Sequence, residues 1–248
     1  MAASELPLGK MLPVQVLNDI ADATWGKLLL GAGFVAIKPR LWVRSRLEFA
    51  RDVFELSAVK GASYVARCGF SLNFVPHVQG GEVRWHRTAK SVVMDLQLPL
   101  LPQHELPWGL QPVGTPHPLV SHRGLEPTLL RSPKFNYELA QRLSPHDTSS
   151  AVDLLAQVTT LVELAAAFQW RKDTNALALR EFYSFTQHPI AFAFTLARLN
   201  RLPEARLELA KFYEVEQANK SDLAVDQLMV QRLYEELEKA SALESPNI

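Results

Sequence analysis

An abrupt change of hydrophobic period constrains this chain more than any other feature. After a first helix-like segment, apolar residues recur at every second position up to residue 98; from about Thr148 they recur every three or four. Between the two patterns, residues 99–133 hold 8 of the 16 prolines, which precludes a long helix or a central strand there. Strands first and helices afterwards describe an α+β protein, because an α/β protein would alternate them. The expected architecture is an N-terminal helix and an antiparallel sheet of four to five strands over residues 1–98, then a packed proline-rich connector over 99–147, then a helical bundle over 148–248. Leu100, Leu101, Leu106, Trp108 and Leu110 make the connector too apolar for a free tether. One compact unit therefore fits the pattern as well as two domains.

Val14 to Leu30 has the stripe of an amphipathic helix, and Gly31 and Gly33 stop it. Strands are expected over Phe34–Arg46, irregular at Pro39 and Arg40, and over Phe49–Val59, with Phe54, Leu56 and Ala58 on one face. The clearest alternation is Tyr64, Ala66, Cys68, Phe70, Leu72 and Phe74 against Arg67, Gly69, Ser71 and Asn73. One buried and one wetter face is the antiparallel pattern. Lys60-Gly61 and Gly80-Gly81 read as hairpin tips. Further strands are expected over Val83–Arg87 and Ser91–Leu98. In the second half, Asp147–Ser150 offers N-caps for a helix reaching Trp170. Further helices are expected over Asn175–Phe185, Pro189–Asn200, Pro203–Ala218 and, capped by Ser221, through Leu237. The run Ala193–Ala205 looks like the turn of a tetratricopeptide-type helix pair, without a repeat elsewhere.

The formal net charge is zero. Nucleic-acid binders neutralise phosphates with a basic excess, so no nucleic-acid partner is expected. Charge is unevenly spread: residues 1–150 carry 16 basic against 12 acidic residues, and 151–248 carry 10 against 14. Cys68 is the single cysteine, which excludes an internal disulfide and a cysteine-built zinc site. Met1–Lys10 lacks the pattern of a signal peptide, and the apolar run Leu28–Ile37 is too short to span a bilayer. The expected address is the cytoplasm, with no membrane partner.

No motif carries catalytic chemistry. The seven histidines, His77, His86, His104, His117, His122, His146 and His188, lack metal-ligand spacing, so neither a metal site nor another cofactor is expected. Gly31-Ala32-Gly33 follows a helix, where a dinucleotide cradle must follow a strand. Cys68 lies on the apolar face of its strand and reads as an inert buried thiol. Two surfaces stand out as candidate partner-binding sites. Arg84-Trp85-His86-Arg87 combines the residue types that protein interfaces favour. The C-terminal acids Glu235, Glu236 and Glu238, with Glu204, Glu208, Glu214, Glu216, Asp222 and Asp226, would steer a basic partner.

Gly33-Phe34, Trp42-Val43-Arg44, Val53-Phe54-Glu55-Leu56 and the run from Gly69-Phe70 to Val75-Pro76-His77 resemble the motifs of a bacterial domain family of unknown function. The resemblance covers the N-terminal hundred residues. Such domains accompany polymorphic toxins, so the resemblance implies an immunity protein that neutralises a cognate toxin by direct binding. The expectation is thus a non-enzymatic protein-binding protein, with a cognate protein as partner and an oligomeric state that the sequence leaves open. A helical-repeat adaptor and a metal-dependent hydrolase built on the histidines of residues 77–122 are the alternatives.

Overall fold

A computed structural model describes residues 12–59, 63–79, 82–85, 92–98, 132–173, 187–219 and 227–242. The architecture is α+β: an N-terminal helix, a five-stranded antiparallel sheet, then helices.

The first helix is a continuous rod in three parts: α1 (Val14–Ala21), a π-helical turn (Asp22–Gly26) and α2 (Lys27–Gly31). Its end follows from glycine chemistry. Gly33 has φ +84°, its N–H donates to the Leu30 carbonyl, and the Phe34 N–H donates to the Leu29 carbonyl at 2.9 Å. That pair of bonds is a Schellman cap, which needs a residue that tolerates the left-handed region. Gly26 answers a different need. The Trp42 ring packs so closely on it that a Cβ there would sit 3.3 Å from the ring.

The main sheet has the order β1-β2-β3-β4-β7, with β1 (Val35–Lys38), β2 (Leu41–Arg44), β3 (Ala50–Val59), β4 (Ser63–Leu72) and β7 (Leu96–Leu98). The expected single strand over Phe34–Arg46 is in fact a hairpin. Pro39 fixes φ and Arg40 adopts φ +63°, so the irregularity is a turn, and β1 pairs back on β2. Trp42 faces Phe54 across β2 and β3, their rings edge to face at 6.1 Å. The short strands β5 (His77–Gln79) and β6 (Glu82–Arg84) form a separate antiparallel hairpin. The fifth expected strand shrinks to β7, because Asp95 is buried and used otherwise. Its N–H donates to the Phe70 carbonyl, and its carboxylate accepts the Leu72 N–H at 2.6 Å.

The helical half differs from expectation at its start. Helix α3 spans Pro133–Ala156 and passes through Pro145, whereas the Asp147–Ser150 caps predicted a beginning there. Ser132 is the true cap: its Oγ accepts the Phe135 N–H, and Pro133 takes the first helical position. An internal proline costs about 3 kcal/mol. A buried stripe of Leu139, Ala140, Leu143, Ser144, Asp147, Thr148, Ala151 and Leu155 opposes that cost. The chain then breaks, and α4 (Leu161–Asp173) starts at a capping box: the Glu163 N–H donates to Thr160 Oγ1, and the Thr160 N–H donates to Glu163 Oε2 at 3.0 Å. Helices α5 (Gln187–Arg198), α6 (Leu202–Asn219) and α7 (Gln227–Ala242) follow. Asn200 at φ +58° caps α5, and Ala193, Ala197 and Ala205 are fully buried where α5 packs on α6. The expected helix over Asn175–Phe185, the Lys60-Gly61 and Gly80-Gly81 tips, Ser221 and most of the proline-rich connector lie outside the described residues.

Contacts divide the chain into two compact units that interleave along the sequence. One comprises residues 1–46, 52–69 and 97–155, the other 47–51, 70–96 and 156–248. In the first, Trp25, Leu29, Phe34, Phe54 and Leu155 are fully buried; in the second, Phe70, Leu72, Phe168, Phe194 and Phe212 are.

Candidate functional site

The two candidate surfaces belong to the same unit. β6 carries Arg84 and leads directly into Trp85, and α7, which carries Glu235, Glu236 and Glu238, lies against β6. Trp85 is 46% exposed. The edge of its ring meets Phe194 of α5, with centroids 6.2 Å apart and planes at 75°. Phe194 is itself fully buried. The indole is thus fixed at one edge by the core while nearly half of it faces solvent. Such a rigid, amphipathic ring adds contact area on binding with little rotamer entropy left to lose.

The charges of the two candidate surfaces are largely matched. Arg84 and Glu82 form an ion pair at 2.6 Å with both side chains about half exposed, a geometry that contributes little to stability. His86 and Arg87 lie outside the described residues. On α7, Glu238 pairs with Arg206 of α6, Glu236 accepts from Lys239 at 2.7 Å, and Glu235 accepts from the Gln231 amide at 3.0 Å. Glu204 pairs with Arg201, which holds its carboxyl below the usual glutamate range.

Glu208 does not belong to this surface. It is buried, with Lys172 of α4 at 2.5 Å and Lys211 at 3.6 Å. Helical spacing alone placed it outside, and the partner on α4 draws it inward. Glu214 is exposed, while Glu216, Asp222 and Asp226 lie outside the described side chains.

The remaining chemically capable groups sit elsewhere. Cys68 is fully buried, and burial, with the charges of Asp52 and Asp147 adding to it, pushes its thiol far above the ordinary cysteine value. That is a thiol held neutral and out of reach of nucleophilic chemistry. Among the described residues, no three His, Cys, Asp or Glu side chains come together as metal ligands, and no helix is long and apolar enough to cross a membrane.

Pattern reading passed over the polar groups that hold the first unit together. Asp52 of β3 is fully buried beneath Arg44 and Arg46. Asp147 of α3 is buried against Trp25, whose indole N–H donates to its carboxylate at 3.1 Å. For Asp52 the available signal is a charge on the strand face of Phe54 and Leu56; Asp147 reads as a helix N-cap, and only the passage of α3 through it turns it inward.

The residues on which the expected resemblance to a bacterial family rests take structural places. Gly33-Phe34 is the Schellman cap, Trp42-Val43-Arg44 is β2, Val53–Leu56 is the buried middle of β3, and Gly69-Phe70 opens the buried end of β4. No protein-family model, curated protein or solved structure matches the chain.

Proposed function

We propose that this chain is a non-enzymatic protein-binding protein and, within that class, a cytoplasmic immunity protein that neutralises a cognate bacterial toxin by direct binding. The observation that carries the binding reading is Trp85, a half-exposed indole fixed edge-on against a buried phenylalanine. The immunity reading rests on the motif resemblance described above. Arg84 and the acids of α7 form the polar rim of the proposed interface, and Trp85 its anchor.

The test starts from the full-length tagged protein purified from its native cells, with mass spectrometry of what remains bound. The expected result is one stoichiometric protein partner that has toxin activity and loses it in the complex. Trp85→Ala should weaken that complex about 30-fold, the loss expected when an interface anchor of about 2 kcal/mol is truncated. Unchanged affinity in Trp85→Ala would reject this surface, and a partner without toxicity would reject the immunity reading while leaving the binding reading intact.

A further inference from the structure

Among its described residues the first unit contains two buried carboxylates, Asp52 and Asp147, held in opposite ways. Asp52 is surrounded by guanidinium groups: Arg44 Nε donates to it at 2.9 Å, and Arg46 Nε at 3.2 Å. Asp147, only 7% exposed, receives a single hydrogen bond from the Trp25 indole, and no Lys or Arg pairs with it among the described residues. That bond joins the middle of α3 to the π-helical turn of the N-terminal rod. π-turns inside α-helices are costly and commonly mark functional positions.

We propose that Asp147 is a proton-operated latch: protonated, it holds α3 on the N-terminal rod at Trp25, and ionised, it loosens that junction. A buried carboxylate without a cation loses hydration that one indole N–H does not replace, so the docked state favours the neutral acid. The groups facing Asp147 can be named element by element. From the rod there is the neutral indole of Trp25. From β4 there is the Cys68 thiol, whose environment includes both Asp147 and Asp52. The Asp52 carboxylate on β3 is paired with Arg44 and Arg46. On α3 itself His146, when protonated, favours the carboxylate. Burial outweighs the indole bond and His146 and pushes the Asp147 carboxyl up to about 6.

The sign follows from linkage. Docking raises the carboxyl from 3.8 to about 6, so the docked state binds the proton more tightly and docking weakens as pH rises between those values. With those two values, docking should be about tenfold tighter at pH 5.0 than at pH 7.5.

The experiment is NMR on the full-length protein. Hydrogen exchange at the Trp25 indole, corrected for intrinsic base catalysis, should lose about tenfold protection between pH 5.0 and 7.5, and Asp147→Asn should abolish that dependence. A pH-independent wild type, or the same dependence in Asp147→Asn, overturns the latch. Should Asp147→Asn fail to fold, the Asp147 carboxyl carbon shift in the wild type decides. A midpoint near 6 supports the proposal, and one near the ordinary aspartate value overturns it.

Discussion

Replacing Asp52 by Asn tests whether the buried charge cluster holds the first unit together. Asp52 is completely buried, and the side chains of Arg44 and Arg46 are 17% and 26% exposed. The cluster also reaches outward: Arg44 Nη1 donates to the Ala32 carbonyl at 3.1 Å, and Arg46 Nη2 to the Leu155 carbonyl at 2.7 Å. One carboxylate thus orients two side chains: Arg44 ties the end of β2 to the end of the rod, and Arg46, just beyond β2, reaches the last turn of α3. Removing one member of a buried ion pair costs about 3–5 kcal/mol, because the partner's charge stays buried. Both guanidinium groups keep a carbonyl acceptor and some water, which places Asp52→Asn at the lower end, about 3 kcal/mol. Urea unfolding at pH 7, followed by tryptophan fluorescence and by circular dichroism, should show a midpoint lower by about 1.5 M for a slope of about 2 kcal/mol/M. The combined variant Arg44→Met, Arg46→Met, Asp52→Leu, which removes all three charges, should recover most of that loss. A loss below about 1 kcal/mol in Asp52→Asn would refute the reasoning.

The buried pair of the second unit should respond asymmetrically. Glu208→Gln strands Lys172 beside the Phe192 ring, whereas Lys172→Met leaves Glu208 with Lys211 at 3.6 Å. Urea unfolding should therefore show the larger loss in Glu208→Gln, about 3 kcal/mol, and the reverse order would contradict the geometry. At the start of α4, Thr160→Ala should cost about 1 kcal/mol, measurable in the same assay. The bonds from Thr159 and Thr160 hold the Glu163 carboxyl below its usual value of 4.5. The stability this contributes is present above that value and disappears as pH falls through the lower folded one. Circular dichroism on acidification should show Glu163→Gln lacking this component.

Legibility tracked the kind of interaction that decides each element. Where burial of a repeating apolar face decides, the sequence sufficed. The rod, β3, β4, α5 and α6 appear where their periods placed them, and Gly33 and Asn200 terminate helices as their tolerance of positive φ allows. Where a local rule met a tertiary one, local rules misled. Pro145 and the polar run Asp147–Ser150 look like a helix start, yet a buried stripe extends α3 through them. The signals that decide were still present in the chain: Ser132-Pro133 for the start of α3, and Thr160–Glu163 for the start of α4. Pro39-Arg40 was visible as an irregularity, but only strand pairing turns an irregularity into a hairpin. The candidate surface was half legible. Composition picked out Trp85 and the acids of α7, and helical spacing shows the local pairs Glu236–Lys239 and Glu204–Arg201, but the pairing of Glu238 with Arg206 of α6 needs the tertiary structure.

That matching decides how the proposed interface would respond to salt. The acidic excess of residues 151–248 suggests steering of a basic partner, and steering weakens as ionic strength rises. Yet Glu238 faces Arg206, Glu236 faces Lys239 and Glu204 faces Arg201, each at hydrogen-bonding range. Paired charges present small local dipoles in place of a field of one sign, and these decay within a Debye length of about 8 Å at physiological salt. Trp85 contributes through apolar contact, which salt does not screen. In the partner-binding test above, affinity should change less than about threefold between 50 and 300 mM salt, while Trp85→Ala lowers it at both. A partner lost at 300 mM salt yet indifferent to Trp85→Ala would move the interface from β6 to the acidic helices.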